Sequence, residues 1–87
     1  MGKVDIAAAI LEFTLKGLSL QHLQDRMNVS AGALEENLTL LKSKDLISFD
    51  KKGNIKDPKT IVRITKRGIR FLSMYNSINV KYLTIAK

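Results

Sequence analysis

Residues 18–47 read LSLQHLQDRMNVSAGALEENLTLLKSKDLI, and this stretch decides the fold. It divides at Asn28-Val29 into two amphipathic segments, 19–27 and 30–44, and each opens on a serine. A serine hydroxyl accepts a backbone N–H of the first helical turn, so Ser19 and Ser30 predict two helix starts. Leu18 with Leu23, and Val29 with Leu34, supply the apolar pairs that staple the chain entering each helix. Asn28 tolerates the left-handed conformation of a sharp helix exit, which predicts the end of the first helix there. Leu20, Leu23 and Met27 share one face, and Leu34, Leu38 and Leu41 share another. Neither face is stable against water, so the two helices close on a common core.

A short helix, an abrupt break and a longer helix form a helix-turn-helix. The chain around it has 87 residues, enough for one domain with a small core. Cysteine is absent, which excludes disulfides and fits a reducing cytoplasm. No basic-then-apolar leader precedes the first helix, and no apolar run reaches the length of a membrane span. These features lead us to expect a cytoplasmic protein without a membrane partner.

The net charge of +7 is lopsided. Residues 1–45 carry five basic and six acidic side chains, whereas residues 46–87 carry ten basic and two acidic. All the excess therefore lies in the second half. Nucleic acid is the commonest polyanion to meet such a surface on a small protein, and a solvated basic face is the plainer alternative.

Upstream of the helix-turn-helix, residues 4–15 predict a helix of strong formers, with Gly17 as its C-cap. Its apolar residues fall in two stripes, Ile6, Ile10 and Phe13 on one side and Val4, Ala8, Leu11 and Leu15 on the other. A helix apolar on both sides must be covered on both sides. Downstream, the period changes from about four to two. Residues 46–50 and 60–64 predict two strands around a Lys51-Lys52-Gly53-Asn54 turn, with Ile55 extending the first and Asp57-Pro58 bending the loop a second time. Thr65 resembles another N-cap, opening a helix over 66–76 with Ile69, Phe71, Leu72 and Tyr75 as candidates for burial.

The tail is ambiguous. Phe71, Tyr75, Ile78, Tyr82 and Ile85 recur at coiled-coil spacing, yet Val80, Tyr82 and Thr84 alternate as in a strand, and Asn76, Ser77 and Asn79 weaken a helix between. The chain thus divides into a domain, 1–77, and a tail, 78–87. Tyr82, Leu83 and Ile85 need cover and match the stripe on Val4, Ala8, Leu11 and Leu15. A homodimer built from these regions, with Tyr75 and Ile78, is the expected solution, and an intramolecular clasp is the competitor.

Two motifs carry a family resemblance. Val29-Ser30, Leu34, Leu38 and Leu41 followed by Lys44-Asp45-Leu46-Ile47 resemble the recognition helix of archaeal winged-helix regulators, which ends in a K-G-L-I turn. Ile64-Thr65-Lys66-Arg67-Gly68-Ile69-Arg70-Phe71-Leu72 resembles their L-T-x-K/R-G-x-x-F/L-L opening of the helix after the wing. The resemblance spans about residues 18–72. It implies a mainly α, α+β fold: three helices, a β-hairpin wing and a C-terminal helix. It also implies a small DNA-binding transcription regulator or chromatin protein, usually a homodimer through its terminal helices. Asp45 stands where the family usually has glycine, and Glu35 and Glu36 stand where similar recognition helices offer lysine, glutamine or arginine.

Carboxylates repel phosphate and give guanine no bidentate partner, so the wing and its flanks are expected to dominate binding. Lys51, Lys52, Lys56 and Lys59 on the hairpin, and Arg63, Lys66, Arg67 and Arg70 after it, are the candidate phosphate contacts. Ala31 and Gly32 open the recognition helix with small residues that let a phosphate approach backbone N–H groups, and Gln21, His22, Ser30 and Thr39 offer neutral contacts. Each has a plainer reading. Hairpin lysines also discourage edge pairing, acidic pairs solubilise exposed helices, and a lone histidine is more often surface than ligand. With one histidine, no cysteine and no glycine-rich phosphate loop, neither an enzyme, a cofactor nor a small-molecule ligand is expected. The alternative function is a winged helix used for protein contact, which an acidic recognition helix would suit. RNA binding is weaker, because the five aromatic residues leave no stacking platform.

Overall fold

In the computed structural model, residues 3–50 and 53–86 are described, with the backbone alone for 3–5 and 78–86. In chain order the described residues form α1 (Lys3–Phe13), β1 (Leu18–Ser19), α2 (Leu20–Arg26), α3 (Ala31–Ser43), β2 (Ile47–Phe49), β3 (Ile61–Ile64) and α4 (Lys66–Ala86). Both serines cap as their positions predict. Ser19 Oγ accepts the N–H of His22 at 3.2 Å, and Ser30 Oγ accepts that of Ala33 at 3.1 Å. The exit from α2 differs from expectation. Met27, not Asn28, ends it in an extended conformation, with its N–H on the Leu23 carbonyl.

The left-handed residue lies instead at the end of α3, where Asp45 has φ +58. Asp45 N–H donates to the Lys42 carbonyl and Leu46 N–H to the Leu41 carbonyl, at 3.0 and 2.9 Å. This paired ending is the one glycine normally serves, and aspartate fills it because its short polar side chain tolerates the left-handed region.

The three strands form one antiparallel sheet in the order β1-β3-β2. Ile47 faces Ile64, Ser48 faces Arg63 and Phe49 faces Val62 across the hairpin, so both predicted strands are present. Ile55 does not extend β2; it lies in a turn of the loop, half-buried against the core. β1 was not predicted, because two residues carry no period. Leu18 and Ser19 pair with Val62 and Ile61, which makes β3 the central strand. Along β3, Val62 and Ile64 are buried while Arg63 is exposed.

The core joins Leu20, Leu23 and Met27 of the α2 segment, Leu34, Leu38 and Leu41 of α3, Leu46, Ile47, Val62 and Ile64 around the sheet, and Leu72 of α4. Helix α1 runs through it, packed against both α3 and α4. This corrects the two-stripe reading. Ala8 and Leu11, assigned to a dimer interface, are 5% and 0% exposed beside Ala7 and Ile10, so the chain itself covers the middle of both stripes. Leu15 and Phe13 remain exposed because α1 ends at Phe13, two residues earlier than predicted; Gly17, at φ +83, does not cap the helix but ends the turn that follows, its N–H on the Thr14 carbonyl. Thr14 is buried at that end, its hydroxyl donating to the Ile10 carbonyl and its own carbonyl accepting the N–H of Ile64. In α4, Leu72 is buried and Tyr75 half-buried as expected, but Ile69 and Phe71 are 49% and 37% exposed. The helix continues through 77 to Ala86, so the tail is helical rather than extended.

Candidate nucleic-acid interface

The loop joining β2 to β3 begins and ends on its own short polar side chains. Asp50 Oδ1 accepts the N–H of Ile61, Asn54 Oδ1 that of Lys56, and Asp57 Oδ1 that of Lys59. The buried Thr60 hydroxyl accepts the Asn54 N–H and donates to the Asn54 carbonyl, at 2.9 and 2.8 Å. Gly53 is enclosed: a Cβ there would come within 2.6–2.7 Å of Phe49, Asp50 and Thr60. The loop is thus internally braced.

It is also docked. Leu20 N–H donates to the Thr60 carbonyl at 2.9 Å, and Gln21 N–H to the Pro58 carbonyl at 3.0 Å. With Ser19 taking the next amide, the first three N–H groups of α2 are occupied by protein. The docking brings Lys56 into one hollow with Gln21, Ala31, Glu35, Ile55 and Pro58. Ile55 also lines a second hollow, with Thr39, Lys42, Ser43 and Phe49, so α3 lies alongside the loop. Lys42 Nζ sits 5.0 Å from the centroid of the Phe49 ring, an attraction of cation and π face.

On α3, Gly32, Glu35, Glu36, Thr39 and Ser43 are exposed, as the helical spacing predicts. The Thr39 and Ser43 hydroxyls donate to the Glu35 and Leu40 carbonyls, so both are spent on the helix itself. Gly32 has open space around it, and Ser30 and Ala31 are exposed beside it. His22 is exposed, with Nδ1 2.9 Å from Ser19 Oγ. Lys42 was overlooked in the sequence, although Glu35, Thr39 and Lys42 share the i, i+4, i+7 spacing of one face.

The predicted basic residues do not gather at this place. Lys56 is beside the starts of α2 and α3, and the Lys59 N–H is held by Asp57 Oδ1 at the second bend of the same loop. Arg63 lies elsewhere, donating to the Lys16 carbonyl at 3.3 Å with its guanidinium over Gly17. Arg67 shares a hollow with Ser43, Lys44, Asp45 and Phe71 at the far end of α3. Lys66 and Arg70 are exposed one turn apart on α4. Lys51 and Lys52 lie outside the described residues.

Helix, strand, helix-turn-helix and a hairpin whose loop lies along the second helix of that pair are the parts of a winged helix. The sequence profile of winged helix DNA-binding domains matches residues 8–82. The chain belongs to that family. A comparison with curated proteins found no match. The winged-helix match takes in everything from the middle of α1 to the second half of α4, including both motifs around Asp45 and Gly68. In this winged helix α3 holds the position of the recognition helix and loop 50–60 that of the wing. Among the described residues, no group of three or more histidine, aspartate or glutamate side chains could hold a metal ion, and no helix is long and apolar enough to cross a membrane.

Proposed function

We propose that this winged helix binds double-stranded DNA as a transcription regulator or chromatin protein, mainly through the phosphate backbone, as the archaeal regulators it resembles suggest. One observation carries the reading. The hydrogen bonds from Leu20 and Gln21 to the wing carbonyls hold Lys56 next to Gln21 and Ala31, so the wing and the start of the recognition helix present one surface. Lys56 and Lys59 neutralise phosphates there, and Lys51 and Lys52, which precede them in the sequence, add positive charge. Gln21, His22, Ser30, Ala31 and Gly32 add neutral contacts. Glu35 and Glu36 keep base reading by α3 to a minimum, and affinity follows charge rather than sequence.

The test is a titration of an unrelated duplex at several salt concentrations. Each phosphate contact adds roughly −0.9 to the slope of log affinity against log salt, so Lys56→Glu with Lys59→Glu should flatten that slope by about 2. Binding that ignores salt, or a double variant that binds like wild type, refutes the reading.

Exposed Glu35 and Glu36 favour a second reading, a winged helix that docks a protein. Its mark is absence of duplex binding at low salt. For the assembled state we infer a homodimer through α4. Phe71 and Met74 are exposed there, 37% and 66%, and the apolar spacing continues through Tyr75, Ile78, Tyr82 and Ile85. Leu83, Leu15 and Val4 complete that apolar set, and the side chains of Val4 and of 78–85 lie outside the described residues. Light scattering that returns a monomer mass would overturn the dimer.

A further inference from the structure

We propose that the cations around the start of α4 form a second duplex-binding surface, distinct from the wing face, with which the protein bridges two DNA segments. The proposal rests on the DNA-binding reading above. After Asp57 the chain has no acidic residue: 58–87 hold seven lysines and arginines against no aspartate or glutamate, which equals the whole net charge of +7. Four of them, Arg63, Lys66, Arg67 and Arg70, fall within eight residues.

Their placement separates them from the wing. Arg67 meets the C-terminal end of α3 at Ser43 and Lys44, whereas Lys56 meets its N-terminal end at Ala31. A helix of 13 residues puts those ends about 20 Å apart. Arg63 is fixed on the turn between α1 and β1 by the Lys16 carbonyl, not on the wing loop. Lys66 and Arg70 point outward from α4, on the polar flank opposite buried Gly68 and Leu72.

The cluster is also electrostatically costly to the isolated protein. Lys66 and Arg67 occupy the first turn of α4, where the helix dipole is positive and cations are disfavoured. A dense polyanion lying along Lys66 and Arg70 at the start of α4 offsets that repulsion and releases its own counterions. The wing, by contrast, meets the other end of α3.

The experiment uses the full chain at low salt, a biotinylated duplex on beads and an unrelated fluorescent duplex in solution. Wild type should carry the fluorescent duplex onto the beads. Lys66→Glu with Arg70→Glu should keep its affinity for a single duplex and lose about tenfold in capture. Arg67→Glu is the second variant and should lose capture in the same way. Wild type that binds a duplex without capture overturns the proposal, as does a variant whose single-duplex affinity falls together with capture. Undiminished capture by Lys66→Glu with Arg70→Glu also overturns it, because two wing faces of a dimer then do the bridging. Light scattering must show an unchanged mass for each variant; a smaller mass overturns the proposal in favour of assembly. Absence of any duplex binding refutes the wing reading, whereas binding without capture refutes this inference alone.

Discussion

Thr65 donates its hydroxyl to the Asp45 carbonyl across 2.6 Å, joining the end of the recognition helix to the start of α4. The same hydroxyl accepts the Gly68 N–H at 3.0 Å, and Thr65 N–H donates to the Leu46 carbonyl at 3.1 Å. Gly68 lies so near Leu46 that a Cβ would overlap its carbonyl oxygen. The Lys44-Asp45-Leu46-Ile47 turn and the Thr65-Lys66-Arg67-Gly68 turn are therefore two halves of one clasp.

Gly68→Ala should destabilise the protein by about 2–3 kcal/mol, as overpacking against a backbone group does, and Thr65→Val by about 1–2 kcal/mol through the lost cap. Urea unfolding measures both. If Gly68→Ala leaves the midpoint unchanged, α4 is not seated on the Leu46 carbonyl.

Asp45→Gly should have the opposite sign. A non-glycine residue at φ +58 carries strain that glycine lacks, offset in part by glycine's freedom in the unfolded chain. The expected gain is about 0.5–1 kcal/mol, read as a rise of about 2–8 °C in Tm. A lower Tm would mean that the aspartate side chain contributes more than the strain costs.

Leu11 and Leu15 test how α1 is covered. Leu11 is fully buried, so Leu11→Ala should cost about 3–5 kcal/mol, and Leu15→Ala, 48% exposed, less than about 1 kcal/mol. Equal costs in a calorimeter would show that both lie in one interface, as the two-stripe reading had it.

Thr60→Val keeps the shape of the buried side chain and removes both hydrogen bonds to Asn54. The wing should then lose its brace, with a stability loss of about 1–3 kcal/mol and faster hydrogen exchange at the Leu20 and Gln21 amides that hold the wing. Unchanged exchange would show that the brace and the docking are independent.

The helix starts were legible because capping is local. Ser19, Ser30 and Thr65 each act on an amide three residues away, and the leucine spacing of α2 and α3 repeats within one or two turns. The hairpin was legible for a similar reason, since Ile61, Val62 and Ile64 declare a strand by their branching. Asp45 was legible as an anomaly, and its backbone conformation explains it. Of the candidate site, the exposed face of α3 could be read from helical spacing. The company kept by the basic residues could not. Arg63 follows Lys59 by four positions, yet it bonds to Lys16, 47 residues away in the chain.

What the sequence by itself determined is the set of local commitments: three capped helix starts, two strands, a glycine turn after α1, and a positive second half. Tertiary structure alone decided that Leu18 and Ser19 form a third strand, that α4 packs on α1, that the wing carbonyls take the amides of α2, and that Lys56 and Arg67 lie at opposite ends of α3. The physical reason is range. Caps and periodicities are energies of residues a turn apart and are written in spacing, whereas docking depends on which surfaces meet once the whole core has closed.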